Sequence, residues 1–239
     1  MRRVILVFTV AAPIVLIALW TRAPLIGIGI LALSHALLLY PTLRPNVQWL
    51  GPVITCFEPE GNELWLTIDD GPTDDTLAIL DALDVKATFF VKGMLARQRP
   101  ELIRAIVERG HSIGNHSDTH PSGTFWCLPP GSIARQIDGG VSSRWFRAPV
   151  GMKNPFVHPA LRRRGMRLIG WSVRGFDTVG DDIERVVRRI VPRVFPGAIV
   201  VMHQGRAISA RCIARVVSEL RARGYSFVIP DDARLKTKR

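Results

Sequence analysis

The stretch Thr67-Ile68-Asp69-Asp70-Gly71-Pro72 ends a run of apolar and β-branched residues with two adjacent carboxylates and a Gly-Pro pair. The run, residues 63–69, predicts a strand, and the Gly-Pro pair predicts the turn that follows it. Two neighbouring carboxylates repel each other unless a cation or hydrogen-bond donors compensate, so this pattern indicates a metal ligand beside a base. A turn that only caps the next helix is the alternative interpretation.

Strand-like and helix-like stretches alternate along the chain from about residue 46. Further predicted strands cover residues 86–91, 111–115, 145–147, 166–173, 197–203 and 225–229. Predicted helices cover residues 73–83, 100–109, 154–164, 181–194 and 207–223. This order is typical of an α/β fold with a mostly parallel sheet, open or closed into a barrel, whose chemistry lies at the carboxyl ends of the strands.

A second polar cluster, His116-Ser117-Asp118-Thr119-His120, directly follows the predicted strand 111–115. Histidines four residues apart lie on one face of a helical turn, where both imidazoles can bind one ion. Position 117 is Ser, so this is not the His-Glu-x-x-His of zinc proteases, and a base has to come from another segment. An ordinary structural pair is the alternative. His111 and His158 have no partner at ligand spacing and are predicted to be structural.

Together the two clusters resemble the first two signature motifs of the polysaccharide deacetylases, the NodB-homology group or carbohydrate esterase family 4. Phe146-Arg147-Ala148-Pro149-Val150-Gly151 resembles the family's Arg-x-Pro-x-Gly motif, residues 171–177 stand at the place of the fourth motif, and Val201-Met202-His203 resembles the closing Leu-x-His. The resemblance covers about residues 63–229 and implies an irregular (β/α) barrel of the NodB type.

The resemblance also implies roles for individual residues. The ligands of a divalent metal ion, with Zn²⁺ expected, would be Asp70, His116 and His120. The catalytic residues would be Asp69, His203, Arg147 and Asp177. Asp69 would take a proton from the attacking water and His203 would give one to the leaving amine, while Arg147 would pair with Asp69 and orient it. The substrate-binding residues would be Pro149, Gly151, Trp171 and Arg174.

Two segments depart from the family pattern. The fourth motif usually reads Trp-x-x-Asp-x-x-Asp, but Arg174 stands in place of the first Asp and leaves Asp177 as the only carboxylate to support His203. Arg174 either meets a phosphate or carboxylate in the cleft or points to solvent. The connection 137–144 is short, so a helix that covers one side of the barrel is expected to be truncated.

The first 45 residues differ in composition from the rest. Residues 4–21 and 23–43 carry no charged residue, and only His35 interrupts their apolar character. A helix of about 18 residues rises ~27 Å, close to the ~30 Å of bilayer hydrocarbon, so the two runs predict transmembrane helices, as a hairpin. A signal peptide is the alternative, but no small-x-small cleavage site followed by a polar region precedes the second run. The predicted order is a membrane segment 1–45, a linker 46–62, a deacetylase-like domain 63–232 and a basic tail 233–239.

Charge predicts the orientation and a second membrane contact. If both helices span, Arg2, Arg3 and Arg44 oppose Arg22 alone, which puts the domain on the cytoplasmic side of a bacterial inner membrane. If the second run lies in the interface, the domain is exported instead. The net charge is +12, and residues 206–239 hold nine basic residues against three acids. This segment predicts contact with anionic membrane lipids, with a merely solvated helix face as the alternative.

The sequence therefore predicts a membrane-anchored, metal-dependent hydrolase that removes N-acyl groups, above all N-acetyl, from an amino-sugar glycan. One alternative is a deacetylase or deformylase of a lipid-linked amino sugar in envelope biosynthesis, which suits the anchor and the charge. Another is a non-catalytic sugar-binding relic, which the complete set of site residues opposes. Nucleic acid is excluded as a partner because no nucleic-acid motif accompanies the charge. Three cysteines predict no disulfide framework, and the oligomeric state is not predicted.

Overall fold

The computed structural model of the chain describes residues 1–237. Its helices are α1 (Arg2–Leu19), α2 (Pro24–Leu43), α3 (Thr76–Ala82), α4 (Gly93–Gln98), α5 (Pro100–Glu108), α6 (Pro130–Asp138), α7 (Val157–Arg162), α8 (Ile183–Ile190) and α9 (Ser209–Ala222). Its strands are β1 (Cys56–Phe57), β2 (Glu63–Gly71), β3 (Ala87–Val91), β4 (Ser112–Asn115), β5 (Trp145–Phe146), β6 (Arg167–Leu168), β7 (Val173–Arg174), β8 (Ile199–His203), β9 (Ser226–Phe227) and β10 (Leu235–Lys236).

One curled parallel sheet forms the frame of the domain. Its strands follow the order β6-β5-β4-β3-β2-β8-β7, and β9 pairs with the first residues of β2. Within the described part of the chain the edge strands β6 and β7 do not pair with each other, so the barrel is open. The predicted α/β fold with an irregular barrel is confirmed, in the form of a half-barrel.

The centre of the sheet is buried on both faces, which is why its strands read as continuous apolar runs. In β2, Leu64, Leu66 and Ile68 pack toward the surrounding helices. The alternate residue Trp65 points into the barrel, where its ring meets that of Trp145 at 4.9 Å. Side-chain alternation along one strand therefore builds two cores.

The predicted strand 166–173 is in fact two short strands, β6 and β7. Between them, the carbonyls of Ile169 and Gly170 accept hydrogen bonds from the side chain of Arg147. The chain leaves the ladder at this point because a buried guanidinium takes these carbonyls. The prediction of one strand is wrong for this reason.

Helix α6 covers the side of the barrel where the sequence pattern predicts a truncated helix. It buries Ile133 and Ile137, and residues 139–144 then lead into β5. The sequence pattern does not predict this helix, because Pro129, Pro130 and Gly131 at its start are typical of a loop, although Pro fits the first turn of a helix. The short connection therefore follows a covering helix of nine residues.

The helices α1 and α2 pack against each other as a hairpin. They approach closely at Gly27, where an added Cβ atom would lie 2.9 Å from Leu16 Cα. Both are long and apolar enough to cross a membrane, and many of their side chains are exposed, such as Leu25 at 82%. Length and composition fit a membrane anchor or a signal sequence.

The end of α2 is hydrogen-bonded to the α/β domain. The ammonium of the buried residue Lys153 donates to the carbonyls of Arg44 and Pro45, each at 2.8 Å. The side-chain amide of Asn46 donates to the Trp171 carbonyl at 2.7 Å. Residues 44–46 therefore form a joint that ties the hairpin to the domain.

The predicted linker 46–62 and the predicted basic tail 233–239 pair with each other. Strands β1 and β10 form an antiparallel two-stranded sheet in which Cys56 lies opposite Lys236. Two-residue strands this far apart in the chain leave no periodic pattern, so the sequence does not reveal them. Both segments are part of the folded domain, and the last two residues of the tail lie outside the described residues.

Much of the basic segment 206–239 is engaged in ion pairs. Five of the seven basic side chains in its described part contact acids, namely Arg206, Arg215, Arg221, Arg234 and Lys236. These acids neutralise much of the local excess of positive charge. Contact with anionic lipids stays a prediction.

Candidate active site

Several strand ends meet in one cleft of about 230 Å³ at the carboxyl edge of the sheet. β2 supplies Asp69 and Asp70, the loop after β4 supplies His116 and His120, and β8 supplies His203. Parallel strands end at the same edge, and this brings segments that are distant in sequence together. Three other predicted residues line the cleft, namely Gly151, Trp171 and Arg174. The remaining three are buried, namely Arg147, Pro149 and Asp177.

Asp70, His116 and His120 come together as a possible metal site. One ligand atom from each residue lies within 4.8 Å of the other two. Asp70 Oδ1 is 3.5 Å from His120 Nε2 and 4.0 Å from His116 Nε2. This oxygen is buried and accepts no hydrogen bond from the described residues, and the ammonium of Lys92 lies 3.1 Å from it.

Unusual backbone turns aim these groups. Asp70 has a φ of 78° and His120 a φ of 54°, a region that residues other than glycine rarely adopt. Gly71 follows Asp70 and packs directly against Gln204. A Cβ atom added at position 71 would lie only 1.8 Å from Gln204 Nε2. No larger residue fits at position 71 without displacing that amide.

Both histidines are set up as neutral ligands. His116 Nδ1 donates to the carbonyl of Arg147 at 2.8 Å, so the lone pair lies on Nε2, which faces Asp70. Burial lowers the pKa of His116, and burial together with the neighbouring His116 lowers the pKa of His120 to about 4. A neutral imidazole is the form that binds a metal ion.

The carboxyl group of Asp70 stays ionised, with help from a lysine that the sequence analysis missed. Burial raises the pKa of Asp70, but the charges around it outweigh burial and hold that pKa below its usual value. One of them is the ammonium of Lys92, whose Nζ lies 3.1 Å from Asp70 Oδ1. Lys92 directly follows β3, so its position at a strand end is the signal that could have identified it.

Arg147 is fully buried and binds Asp69. Its Nη1 donates to Asp69 Oδ1 at 2.7 Å and to Thr67 Oγ1 at 2.8 Å. Its Nη2 and Nε donate to the carbonyls of Gly170 and Ile169. One oxygen of Asp69 is therefore held by a cation, and its Oδ2 lies on the side of the metal ligands, 3.8 Å from an imidazole nitrogen.

Asp177 supports His203 in spite of the altered fourth motif. Its two oxygens accept hydrogen bonds from the backbone N–H of His203 at 2.7 Å and from ring Nδ1 at 3.0 Å. Burial lowers the pKa of His203, but the hydrogen bond and charge of Asp177 outweigh burial and raise that pKa. The ring nitrogen Nε2 is left for the cleft.

The predicted substrate-binding residues differ in their placement. Gly151 has a φ of +73°, and an added Cβ atom would lie 2.5 Å from the ring of Trp171. Arg174 lies over the same ring, with Cζ 5.4 Å from its centroid. Val150, which the sequence analysis did not single out, also lines the cleft, whereas Pro149 is buried.

Asn115 is a second residue that sequence reasoning missed. Its Oδ1 accepts from the N–H of Ser117 at 2.9 Å, and its Nδ2 donates to the carbonyls of Ile137 and Val141. The side chain therefore ties the loop that carries both histidines to the end of α6. Asn115 is the last residue of β4, so it too could have been identified from its strand end.

A larger cavity of about 790 Å³ lies where Lys86 and His111 precede β3 and β4, away from the strand ends that carry the polar clusters. Burial lowers the pKa of His111 to about 4, and its Nδ1 accepts from the N–H of Ala87. These contacts agree with a structural role for His111. None of the eleven predicted site residues lines this larger cavity, whereas eight of them line the cleft.

Known proteins match the same part of the chain. The sequence model of the polysaccharide deacetylase family matches residues 58–169. A chitooligosaccharide deacetylase from Bradyrhizobium sp. (strain ANU 289) is 32% identical over 182 residues, or 70% of this chain and 83% of that protein. The peptidoglycan-N-acetylglucosamine deacetylase PgdA of Listeria monocytogenes is 32% identical over 180 residues, or 70% of this chain and 38% of PgdA.

A solved structure agrees with these matches. The family 4 carbohydrate esterase from Streptomyces lividans, determined in complex with acetate, has a TM-score of 0.66 to this chain at 29% identity. The match covers 76% of this chain and 97% of the esterase. The sequence identity and the shared half-barrel lead to one conclusion. The chain belongs to the polysaccharide deacetylases, the NodB-homology group of carbohydrate esterase family 4, which are hydrolases of amide carbon–nitrogen bonds.

Proposed function

We propose that this protein is a metal-dependent hydrolase that removes N-acyl groups, chiefly N-acetyl, from an amino-sugar glycan. One observation carries the proposal: the Asp70, His116 and His120 cluster shares one cleft with Asp69, the proposed base, and His203, the proposed acid. Amide hydrolysis needs these three functions, because the carbonyl must be polarised, the water activated and the leaving amine protonated.

The clustered residues fit a divalent cation by their chemistry. Two neutral imidazoles and one carboxylate are a typical donor set for catalytic zinc, which keeps a further position open. The buried oxygen of Asp70 without a hydrogen bond is a group that a cation would satisfy. Asp70, His116 and His120 would hold the ion, which supplies Lewis-acid chemistry by polarising a carbonyl and lowering the pKa of water. Zn²⁺ is the metal that we propose.

Asp69 is placed to act as the base. Arg147 holds Oδ1 at 2.7 Å and balances the charge of the carboxylate. Oδ2 is left to take a proton from the water that attacks the acyl carbon. Because three other hydrogen bonds hold the guanidinium in place, it keeps Asp69 in one orientation.

His203 is placed to act as the acid. Asp177 accepts from Nδ1 and raises the pKa of the ring, which favours the protonated form. Nε2 can then give its proton to the nitrogen of the sugar amine as the amide bond breaks. The acid and the base stand on neighbouring strands, since Asp69 on β2 lies opposite His203 on β8.

The relatives support the substrate class. Two of them are named for chitooligosaccharide and for the N-acetylglucosamine of peptidoglycan, and both substrates are N-acetylated amino-sugar glycans. A glycan of this kind is the substrate that we propose for this chain. The complete set of catalytic and metal-binding side chains argues against a relic that only binds sugar.

Release of the acyl group tests the proposal. The full chain in detergent, first stripped of metal and then loaded with zinc, is incubated with chitooligosaccharides, peptidoglycan fragments and a lipid-linked amino sugar. Acetate or formate is measured enzymatically, with Asp69→Asn as the inactive control. We expect release only from the zinc-loaded wild-type protein. No release from any substrate with zinc bound would favour the relic.

The joint at the end of α2 favours a second candidate, a deacetylase or deformylase of a lipid-linked amino sugar. Pro45 packs against Gly151, which lines the cleft. A Cβ atom added at Gly151 would lie only 2.6 Å from Pro45 Cβ. Asn46 binds the carbonyl of Trp171, another residue of that wall. If α2 spans a bilayer, the cleft is held beside the membrane surface, where a lipid-linked sugar is presented.

The membrane in this proposal is the inner membrane of a bacterium. The excess of arginine at the outer ends of the hairpin favours a catalytic domain on the cytoplasmic side. Cysteine labelling at the exposed residue Cys127, in intact cells and after lysis, tests the side. Labelling only after lysis supports the cytoplasmic side, and labelling in intact cells places the domain outside.

A further inference from the structure

Arg174 is a cation of the cleft whose side chain has no polar partner. Among the described residues its guanidinium forms no ion pair and donates no hydrogen bond, and its Nε is buried. Two aromatic rings hold it instead. Its Cζ lies 4.1 Å from the ring centroid of Phe176 and 5.4 Å from that of Trp171.

The neighbouring Arg147 shows what a purely internal guanidinium looks like in this site. Arg147 donates hydrogen bonds to four acceptors, and one of them is the carboxylate of Asp69. Arg174 stands near acids as well, but burial lowers its pKa against the opposing pull of Asp177 and Asp69. A half-buried cation with free donors is unfavourable until an acceptor reaches it.

The catalytic groups do not need the charge of Arg174. Asp69 is paired with Arg147, and Asp177 is paired with His203. The remaining carboxylate of the cleft, Asp70, faces His116 and His120 and pairs with Lys92. The positive charge of Arg174 is therefore available to a bound molecule.

Phe176 holds Arg174 in place at some conformational cost. It has a φ of 58°, which is strained for an aromatic residue and persists only where the surroundings enforce it. The same ring contacts Arg189, whose Cζ lies 5.3 Å from the centroid. The Nη1 of Arg189 donates to the Gly175 carbonyl at 3.3 Å, whereas the guanidinium of Arg174 donates to none of the described residues.

We propose that Arg174 binds an anionic group, a carboxylate or a phosphate, that the amino-sugar substrate carries beside its N-acyl group. A guanidinium offers two parallel N–H donors, which match either anion in a bidentate contact. The cleft is small, about 230 Å³, so an anion at Arg174 lies close to the metal ligands. The inference rests on the proposed function and narrows its substrate to acidic or phosphorylated amino sugars.

Three matched probes test the inference with the zinc-loaded full chain. They are neutral N-acetylglucosamine, the same sugar with a carboxylate-bearing ether, and N-acetylglucosamine 1-phosphate. The measured quantity is the ratio of kcat/KM for each anionic probe to that for the neutral probe. The variants are Arg174→Met, Arg174→Lys and the control Arg188→Met, which removes one charge from an exposed position on α8.

In the wild-type protein we expect at least one anionic probe to be preferred by about tenfold or more. Arg174→Met should abolish that preference, Arg174→Lys should keep part of it, and Arg188→Met should keep all of it. The probe that is preferred identifies the anion as a carboxylate or a phosphate. A preference that survives in Arg174→Met overturns the inference, and so does an equal loss of kcat/KM on all three probes, which points to a role in the chemical step.

Binding separates this inference from the proposed function. If no probe is deacetylated, the proposed function fails, but calorimetric titration of the three probes still reports on Arg174. Tighter binding of either anionic probe, lost in Arg174→Met, supports the anion site without any turnover. Equal affinity of the wild-type protein for the neutral sugar, the phosphate and the sugar with the carboxylate-bearing ether overturns it.

Discussion

Asp177 binds His203 twice, accepting one hydrogen bond from its backbone N–H at 2.7 Å and one from its ring Nδ1 at 3.0 Å. The first bond fixes the end of β8, and the second fixes the orientation of the imidazole. One carboxylate thus orients His203, the proposed acid, and raises its pKa, which makes the pair the natural target for a pH experiment.

Replacing Asp177 with Asn should move the alkaline limb of activity to lower pH. The charge of Asp177 raises the pKa of His203 against the effect of burial, so its loss lets burial lower that pKa. An acid must be protonated to act, and activity is therefore lost as pH rises through its pKa. We expect kcat/KM at about pH 8 to fall roughly 10- to 100-fold, as measured in a full pH profile.

The exposed carboxylate Asp181, which pairs with Arg206, provides the control for this change. Asp181→Asn should leave the pH profile of the wild-type protein unchanged. An alkaline limb that stays in place in Asp177→Asn would contradict the role of His203 as the acid.

Substitution of either histidine ligand should remove the metal. His116→Ala and His120→Ala each delete one of three donors, so we expect zinc affinity to fall more than tenfold while the fold persists. Elemental analysis after dialysis and circular dichroism measure the two effects. His111→Ala, at a buried position outside the cluster, is the control and should keep its zinc. Stoichiometric zinc in the His120→Ala protein would rule out this ligand set.

Asp69→Asn should have the opposite outcome, with zinc retained and turnover lost. The substitution removes the base but leaves the three proposed ligands in place. General-base catalysis contributes roughly 10²- to 10⁴-fold, and we expect kcat to fall by about that factor. Loss of zinc from Asp69→Asn would show that Asp69 is itself a ligand.

Arg147→Met should destabilise the protein more than the loss of any surface ion pair. It leaves Asp69 buried without its cation, a change that costs about 3–5 kcal/mol in the free energy of unfolding. Arg164→Met breaks the exposed pair with Asp138 and should cost less than about 1 kcal/mol. Denaturant unfolding measures the free energy of unfolding of both variants. Similar decreases in the two would mean that the buried pair of Arg147 and Asp69 contributes no more to stability than a surface pair.

Lys153→Met should loosen the joint between the hairpin and the domain. The carbonyls of Arg44 and Pro45 lose their donor, and we expect hydrogen exchange in residues 44–49 to accelerate about tenfold or more. Lys86→Met, which also removes a lysine bonded to a backbone carbonyl, is the control. Mass spectrometry measures the exchange in both variants. Unchanged exchange at the joint in Lys153→Met would show that other contacts hold the joint.

Much of the site could be predicted because its chemistry lies at strand ends. An apolar run followed by Asp69 and Asp70, and a second one followed by His116, are local patterns that survive in any fold with parallel strands. Eight of the eleven predicted residues line the cleft, and the other three are buried. Lys92 and Asn115 also stand at strand ends, after β3 and at the end of β4. The position of a polar residue at a strand end therefore predicts them as well.

The sequence by itself determined the main alternation of strands and helices, the clusters that end the strands, and the two apolar helices, because side-chain periodicity and local turns encode them. Only the tertiary structure decided the partners. Arg147 reaches Asp69 across 78 positions, Lys153 holds the end of α2, and the predicted linker pairs with the tail. Contacts of this kind depend on how the half-barrel curls, and no local pattern in the chain records which distant groups it brings within hydrogen-bonding distance.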